Sequence, residues 1–263
     1  MNVPIRMLGI ATSIFWVLLV VFIALAAYSV KDLSFDFGEP QFTMAPEGEL
    51  IFSLPLSVDN RGYYSLKEFY LSTMFSDAEG IELSRAETFV PVIPHGESTT
   101  IVHNVTLSID SLIEKGKQYL FNDNNLNVSV TAGLNFAELL PAQISTNFTF
   151  PWGAPLYNFA LGEPSYGRLN STHATVAVPM SFENHALFDI AGNIRIELYD
   201  SVDSLLGESQ TIIYVPQYSA YEGNVEFSVP LNATASSAAQ NGHFNVYFDI
   251  GLVEYGPLVI PYG

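Results

Sequence analysis

The hydrophobic pattern of the chain changes abruptly after about thirty residues. Met7 to Tyr28 is an apolar run without a charged residue, in which only Thr12 and Ser13 are mildly polar. Its 22 residues would form a helix about 33 Å long, enough to cross a hydrocarbon core of about 30 Å. The pattern predicts a transmembrane helix over residues 7–28, preceded by a short leader.

A retained anchor is favoured because this run exceeds the 7–15 residues of a usual signal-peptide core. Two alternatives stay open. Ala24-Leu25-Ala26 offers a signal-peptidase site, and Gly9 offers the cleavage point of a pilin-like leader. Cleavage after Ala26 would release the rest of the chain from the membrane, whereas cleavage after Gly9 would leave the helix for assembly into a filament.

Flanking charges predict the orientation of the helix. Arg6 precedes the apolar run, whereas Asp32, Asp36 and Glu39 follow it closely. Because basic residues favour the cytoplasmic side, we expect a single-pass protein of the cell membrane with its N-terminus in the cytoplasm. The C-terminal domains would then be extracellular.

Beyond residue 30 the dominant hydrophobic period is two. Apolar residues take every second position at 50–58, 126–130 and 194–198, which is typical of half-buried β-strands. Pro55 and Pro179 fall inside such runs, so we expect their strands at a sheet edge or at a bulge. Ser111 to Leu120 favours a short helix, whereas its counterpart Ala233 to Ala239 is small and polar.

The exterior part of the chain contains an internal repeat. Gly38-Glu39-Pro40 recurs as Gly162-Glu163-Pro164, an offset of 124 residues (162 − 38). The same offset relates the apolar positions of 52–58 to those of 176–182, and preserved phase over a long stretch is strong evidence of repetition. It further pairs Asn60 with Asn184, Val105 with Val229, and Leu107 with Leu231.

Both copies end in a proline-aromatic-glycine sequence, Pro151-Trp152-Gly153 and Pro261-Tyr262-Gly263. We therefore predict three parts: a leader and membrane helix at 1–30, a first domain at 31–153 and a second at 154–263. Six to eight short strands in each domain describe a β-sandwich. The expected fold is all-β, with two tandem fibronectin-III/immunoglobulin-like β-sandwiches after one N-terminal transmembrane helix.

The repeat unit resembles the type 2 late-embryogenesis-abundant domain, also called the water-stress and hypersensitive-response (WHy) domain. The resemblance rests on a strand, an Asn-containing turn, a second strand and an acidic turn, at 54–83 and again at 178–208. Each turn keeps one Asn, Asn60 or Asn184, of the family's Asn-Pro-Asn turn. The resemblance implies a seven-stranded sandwich without a catalytic site, with roles in stress tolerance or in lipid or protein contact. The tandem, anchored layout looks like archaeal relatives.

Charge and composition exclude several classes of protein. The chain has 263 residues, 9 Lys+Arg against 27 Asp+Glu, and no Cys. A net charge of −18 argues against nucleic acid as a partner, because phosphate binding needs a basic surface. The absence of Cys excludes disulfides, thiolate nucleophiles and Cys-ligated metals.

Asparagine sequons are the first group of candidate site residues. Four of the five stand at outward positions of predicted strands, where an oligosaccharide transferase could reach them. They predict a glycosylated surface protein, the alternative being ordinary polarity of the wet strand faces. The N-glycosylation candidates are Asn104, Asn127, Asn147, Asn170 and Asn232.

No residue pattern indicates an enzyme. The sequence has no nucleophile elbow, phosphate loop, dinucleotide fingerprint or metal-ligand spacing, so we expect no catalytic residue, metal or cofactor. His103 is in phase with the inward residues and is expected in the core. The acidic turns at 77–82 and 200–203 are expected to be solvated, with a weak calcium site as the alternative.

Tyrosines form the second group of candidate site residues. Exposed tyrosines combine an apolar ring with a polar hydroxyl and are common in contact surfaces. Packing over loops is the alternative. The tyrosines concerned are Tyr63, Tyr64, Tyr214, Tyr218 and Tyr221.

The expected function is that of a non-catalytic, membrane-anchored cell-surface protein with a structural, adhesive or stress-protective role in the envelope. Its partners would be the lipid bilayer through Met7–Tyr28, and envelope proteins or a second copy of the chain. One alternative is a secreted or pilin-like filament subunit that assembles by strand complementation through Val30 to Gly38. A lipid- or solute-binding module, with a groove between the sheets, is the other.

Overall fold

The structure is a computed structural model that describes residues 3–45, 48–137, 140–168, 170–230, 241–251 and 253–263. It is mostly β. A long helix, α1 (Val3–Val30), leads directly into the first strand. The strands of the first half are β1 (Leu33–Phe37), β2 (Gln41–Ala45), β3 (Glu49–Asn60), β4 (Leu66–Ser76), β5 (Glu82–Ile93), β6 (Glu97–Ser108), β7 (Asn124–Phe136) and β8 (Leu140–Trp152).

The second half repeats this succession of strands. Its strands are β9 (Tyr157–Leu161), β10 (Ser165–Arg168), β11 (His173–Asn184), β12 (Ile190–Asp200), β13 (Leu205–Val215), β14 (Ser219–Pro230), β15 (Gly242–Asp249) and β16 (Glu254–Tyr262). Two short helices, α2 (Ile109–Lys115) and α3 (Gln118–Phe121), lie between β6 and β7.

The strands form two sandwiches with the same topology. In the first sandwich, β3 pairs with β6 on one side and with β1 and β2 on the other, and the facing sheet has the order β5-β4-β7-β8. In the second sandwich, β11 takes the place of β3 and the facing sheet has the order β13-β12-β15-β16. This confirms the predicted all-β fold with sandwich-like sheets after one N-terminal apolar helix.

The repeat is closest where the two central strands of each sandwich lie. The offset of 124 residues relates β3 to β11 and β4 to β12, whereas β6 and β14 differ by only 122 (219 − 97). Phe52 pairs with Val105 and its equivalent Val176 pairs with Phe227, so Val105 corresponds to Phe227. The predicted match of Val105 to Val229 was therefore wrong. A shift of two residues preserves the alternation and is invisible in the hydrophobic pattern.

The two strand prolines lie in central strands, so the predicted edge or bulge was wrong. The carbonyl of Pro55 accepts a hydrogen bond from the Gly38 amide (2.9 Å), and that of Pro179 accepts one from Gly162 (2.8 Å). Gly38 lies in the break between β1 and β2, and Gly162 in the break between β9 and β10. Because the neighbouring strand is interrupted there, the sheet needs no amide donor from the proline.

The predicted helix at 111–120 is present as α2 and α3, which are separated at Gly116. The Ser108 hydroxyl accepts a hydrogen bond from the Ser111 amide (3.2 Å) and caps α2. Ile109, Leu112 and Leu120 are buried and fill the end of the first sandwich. The counterpart segment Ala233 to Ala239 lies outside the described residues.

Candidate functional site

The C-terminal end of α1 is seated on the turn between β3 and β4. Ser29, in its last turn, is completely buried, and its hydroxyl accepts a hydrogen bond from the Tyr63 amide (2.7 Å). The Arg61 amide donates to the carbonyl of Asp32 (3.0 Å). A Cβ on Gly62 would overlap the Ser29 hydroxyl. The helix therefore meets the sandwich at a fitted junction, without a flexible linker.

Aromatic rings extend this helix–sandwich junction down the helix. Phe22 packs edge-on against Tyr64 (5.8 Å between centroids), and Tyr64 packs edge-on against Phe136 (6.0 Å). At the helix end, Tyr28 stacks on Tyr63 (6.1 Å). Two of the five predicted contact tyrosines thus lie at the junction.

The other three tyrosines lie on the second sandwich. The Gln217 amide and the Tyr214 hydroxyl (2.7 Å) both donate hydrogen bonds to the Asp189 carboxylate. These two bonds, the first more strongly than the second, lower the pKa of Asp189. Tyr221 is half-buried and stacks on Phe182. Tyr218 is 65% exposed in the turn between β13 and β14. The five tyrosines are therefore divided between the two sandwiches.

The joint between the two sandwiches is as tight as the helix–sandwich junction. The His185 amide donates to the carbonyl of Ala154, and the Leu156 amide donates to that of Leu120 (both 2.9 Å). A Cβ on Gly153 would overlap the carbonyl oxygen of His185 and lie 2.5 Å from its carbonyl carbon. The backbones of the two sandwiches are thus in direct contact.

Apolar packing closes the same joint. Phe121, the last residue of α3, packs edge-on against Phe248 (5.8 Å) and Tyr255 (5.9 Å) of the second sandwich. Trp152 is buried near Phe188 and donates its indole N–H to the carbonyl of Tyr119 (2.8 Å). These contacts join one end of the first core to the second core in a single apolar cluster, whereas the part of the first core near α1 forms a cluster of its own.

His185 connects charged groups across the joint. Its Nδ1 lies 2.8 Å from an Asp123 carboxylate oxygen, and its Nε2 lies 2.9 Å from Glu183. The ring also stacks on Tyr157 at 4.2 Å. Hydrogen bonds to Glu183 and then to Asp123 raise the pKa of His185 above its ordinary value. The protonated ring is the form that both carboxylates stabilise.

We expect the joint to weaken as the pH rises. A raised pKa in the folded state contributes stability that is complete below the ordinary pKa of about 6.5 and is lost as the pH passes the folded value. The partly exposed pairs are worth about 1 kcal/mol. Thermal unfolding at pH 6 and pH 9 should show this loss in the wild type and a smaller one in His185→Gln. Equal losses in both proteins would contradict the role of His185.

A buried asparagine fixes the same turn in both sandwiches. Asn60 and Asn184 are fully buried at equivalent positions. The amide group of each donates to three backbone carbonyls: Asn60 to those of Tyr64, Ile93 and Pro94, and Asn184 to those of Phe188, Val215 and Pro216, at 2.9–3.2 Å. The Asn184 oxygen accepts from the Ala186 amide (3.0 Å), whereas that of Asn60 has no hydrogen-bond partner in the described chain.

The acidic turns are held by their own carboxylates. Asp77 accepts a hydrogen bond from the Ile81 amide (2.7 Å), and Asp200 accepts one from the Ser204 amide (2.8 Å). Asp77 and Asp200 are buried, contrary to the predicted solvated turns, whereas Glu79 and Asp203 are exposed. No group of three or more His, Asp or Glu side chains is placed to hold a metal ion among the described residues.

His103 is buried, as its phase predicts. Its Nδ1 lies 2.8 Å from the Thr88 hydroxyl and its Nε2 lies 3.0 Å from that of Thr73. Burial lowers the pKa of His103. The neutral ring therefore bridges two strands of the facing sheet as a structural residue.

The sequon asparagines that the structure describes are all exposed. Asn104 and Asn147 lie on outer strand faces. Asn127 donates to the carbonyl of Asp77 (2.9 Å), and the Asn170 side chain accepts from the Thr172 amide (2.8 Å). Asn232 lies outside the described residues. N-glycosylation stays a prediction, for which Asn104 and Asn147 have the freest geometry.

Strand β8 is an edge strand without a charged residue. Ile144 and Phe148 share a face with Phe150, which packs against Phe75 in the core, yet they are 72% and 50% exposed. Its counterpart β16 contains the charged Glu254, and its inward residues are half-buried or buried, whereas both strands contain two prolines. Natural edge strands avoid pairing by means of charges and prolines, so β8 is the less protected of the two.

An open groove of about 620 Å³ runs along the joint. Phe121 of α3, Phe159 and Leu161 of β9, and Leu258 and Ile260 of β16 contribute its apolar lining. Its volume is in the range of small-molecule sites, but it opens to solvent along the surface. Binding of a lipid or solute stays a prediction.

No protein-family model matches the chain, and no curated protein matches it. Among solved structures, the putative ApaA protein from Bordetella pertussis is 13% identical with a TM-score of 0.30, covering 47% of this chain and 94% of that one. Structural genomics target SoR45 is 15% identical with a TM-score of 0.29, covering 46% and 86%. Red sea bream transglutaminase is 13% identical with a TM-score of 0.31, covering 88% and 31%. Likenesses this distant carry no argument about function.

Proposed function

We propose that the protein is a non-catalytic, membrane-anchored surface protein whose α1 holds two joined β-sandwiches outside the cell membrane. The observation that carries this proposal is the exposure of α1. Ser13 to Val30 has a mean hydropathy of 2.5, and only 6% of this segment is buried by the rest of the protein. An uncovered apolar helix of this length needs an apolar environment, and a bilayer provides one.

The helix–sandwich junction and the joint between the two sandwiches give the proposed function its physical basis. Because α1 packs closely against the first sandwich and the first sandwich packs closely against the second, the two sandwiches would project from the membrane as one rigid unit. Such a unit suits a spacing, adhesive or envelope-supporting role. The resemblance to type 2 late-embryogenesis-abundant domains supports a stress-protective version of this role, and the charge of Arg6 supports a cytoplasmic N-terminus.

Membrane fractionation tests the anchor. In cells that express the full chain, we expect it to remain in the membrane pellet after an alkaline wash. Protease added outside intact cells should digest both sandwiches. In a Leu18→Arg, Val21→Arg variant, two charges interrupt the apolar run. The amount of this variant in the membrane pellet should be at least tenfold lower than that of the wild type. Recovery of the wild-type chain in the wash, or in the medium with a shortened N-terminus, would contradict the proposal.

The uncharged edge of β8 favours self-association of a released chain as a second candidate function. Two copies of an acidic protein repel each other, and an uncharged edge strand is where that repulsion is weakest. Antiparallel pairing of two β8 strands would place the second sandwich of one copy beside α1 of the other. A membrane around α1 would occupy that space, so this pairing requires a chain that has left the membrane.

Sedimentation of a chain cleaved after Ala26, and so released from the membrane, tests the β8 edge. We expect the wild type to form dimers and Ile144→Lys to be monomeric, because an edge lysine opposes strand pairing. Val259→Lys introduces the same charge on the exposed face of β16 and should leave the dimer intact. A monomeric wild type, or equal effects of the two variants, would exclude assembly through β8.

A further inference from the structure

Helix α1 is longer than a bilayer requires. It has 28 residues, which correspond to about 42 Å at 1.5 Å per residue. The hydrocarbon core of a typical bilayer is about 30 Å thick, the length of about 20 helical residues. About eight residues of α1 therefore extend beyond one boundary or the other.

The first sandwich identifies which end is in excess. Phe22 and Ser29 are seven residues apart and share one face of the helix, and both contact the turn between β3 and β4, through Tyr64 and Tyr63 respectively. The sandwich thus flanks the last two turns of α1. Phe22 lies about 12 Å below Val30 along the helix axis. A membrane boundary at Val30 would therefore immerse the end of the sandwich in hydrocarbon.

Charges at this end of the sandwich oppose deep immersion. Arg61 of the turn forms an ion pair with Asp59 at the end of β3 (2.8 Å), and the Arg61 side chain is 77% exposed. Lys31 and Asp32 follow the helix directly. Exposed charges in hydrocarbon are costly, so the turn must lie in the headgroup region or beyond it. Tyr64 belongs to the same turn, so its contact with Phe22 favours a hydrocarbon boundary near Phe22.

We propose that the hydrocarbon span ends near Phe22 and that the first sandwich is seated in the lipid headgroup region. This inference rests on the proposed membrane anchoring. With Arg6 at the opposite boundary, the span then covers residues 7–22, about 24 Å, and the bilayer thins locally to match this shorter apolar length. The last two turns of α1 lie at the level of the headgroups, and the bilayer holds the sandwich as well as the helix.

The surface that would meet the headgroups has the chemistry of an interfacial patch. Its apolar and aromatic side chains are each 43–61% exposed, and tyrosine is enriched at membrane interfaces. The Lys31 ammonium lies 3.4 Å above the Tyr28 ring, at the edge of the patch. A net charge of −18 disfavours anionic lipids, so zwitterionic headgroups are the expected partner. The patch consists of Ile23, Leu25, Tyr28, Val30 and Tyr63.

Spin labels can measure this depth directly, because the chain has no native cysteine. Four single-cysteine variants, Leu18→Cys, Leu25→Cys, Tyr63→Cys and Tyr218→Cys, are labelled with a nitroxide and reconstituted in phosphatidylcholine vesicles. Collision with oxygen reports lipid, and collision with a water-soluble nickel chelate reports water. Tyr218→Cys is the matched control for Tyr63→Cys, since the two tyrosines are 65% and 61% exposed.

We expect the label at position 18 to collide mainly with oxygen and the label at 218 mainly with nickel. The labels at 25 and 63 should be intermediate, with at least threefold less nickel collision than at 218. Tyr63→Cys keeps the backbone bond to Ser29, so an unchanged thermal midpoint would show that the junction is intact.

Two outcomes would overturn the inference and leave the anchor in place, and a third would contradict the anchor. Equal nickel collision at 63 and 218, with position 18 in lipid, would mean that the sandwich stands clear of the bilayer. A label at 25 as deep as that at 18 would mean that the span ends near Val30. Water access at position 18 would contradict the proposed anchoring itself.

Discussion

Replacement of Gly153 by alanine is expected to uncouple the two sandwiches. The added Cβ would overlap the carbonyl of His185 in the opposing turn, so one of the two backbones would have to shift. Overpacking of a closed contact costs about 3 kcal/mol at the upper end of its range. The bonds from His185 to Ala154 and Asp123 would be lost with the contact. Calorimetry should show one coupled unfolding transition in the wild type and two separate transitions in the variant.

Gly167→Ala is the matched control for this substitution. It also adds one methyl group to a glycine of the second sandwich, but the nearest atom to the new Cβ is the Thr175 carbonyl oxygen at 3.9 Å. We expect its transition to coincide with that of the wild type. A single unshifted transition in Gly153→Ala would show that the sandwiches are not held together at this contact.

Asn184→Ala is expected to destabilise the second sandwich by about 3 kcal/mol. The variant leaves the carbonyls of Phe188, Val215 and Pro216 and the amide of Ala186 without their partner. A buried polar group left unsatisfied costs about 1–3 kcal/mol. Native-state hydrogen exchange measures the effect within one sandwich, and the amides of β11 and β12 should lose protection by about two orders of magnitude.

The equivalent variant, Asn60→Ala, provides an internal comparison. It removes the same three carbonyl bonds from the first sandwich, but the Asn60 oxygen has no hydrogen bond to lose in the described chain. We expect a smaller loss, about 2 kcal/mol, confined to β3 and β4. Equal effects, or a larger effect at Asn60, would show that the oxygen of Asn184 contributes nothing.

Sequence alone identified the elements whose signals are local. The apolar run at Met7 to Tyr28 predicted the helix, and alternation predicted strands such as β3, β7 and β12. The phase of these runs also predicted that His103 is buried and that Asn104 is exposed, because each neighbour in a strand faces the opposite way. A repeat was visible because the two copies share that phase.

Features that depend on a neighbouring strand were not predictable from the pattern. Pro55 indicated an edge strand, yet β3 is central, because the break between β1 and β2 removes the need for its amide. Val105 was matched two residues out of register, because an even shift leaves the alternation unchanged. Both errors concern which backbone groups face one another across a sheet.

The helix–sandwich junction and the joint between the two sandwiches are visible only in the tertiary structure. Gly62, Gly153 and Ser29 are small residues with no periodic signal, and their role appears only where another segment packs against them. His185 stood in the sequence as one of five histidines, but folding places it between two carboxylates from separate parts of the chain. The sequence by itself determined that a helix precedes two sandwiches. How these parts are fixed to one another depends on close contacts between residues distant in the chain, which no local pattern records.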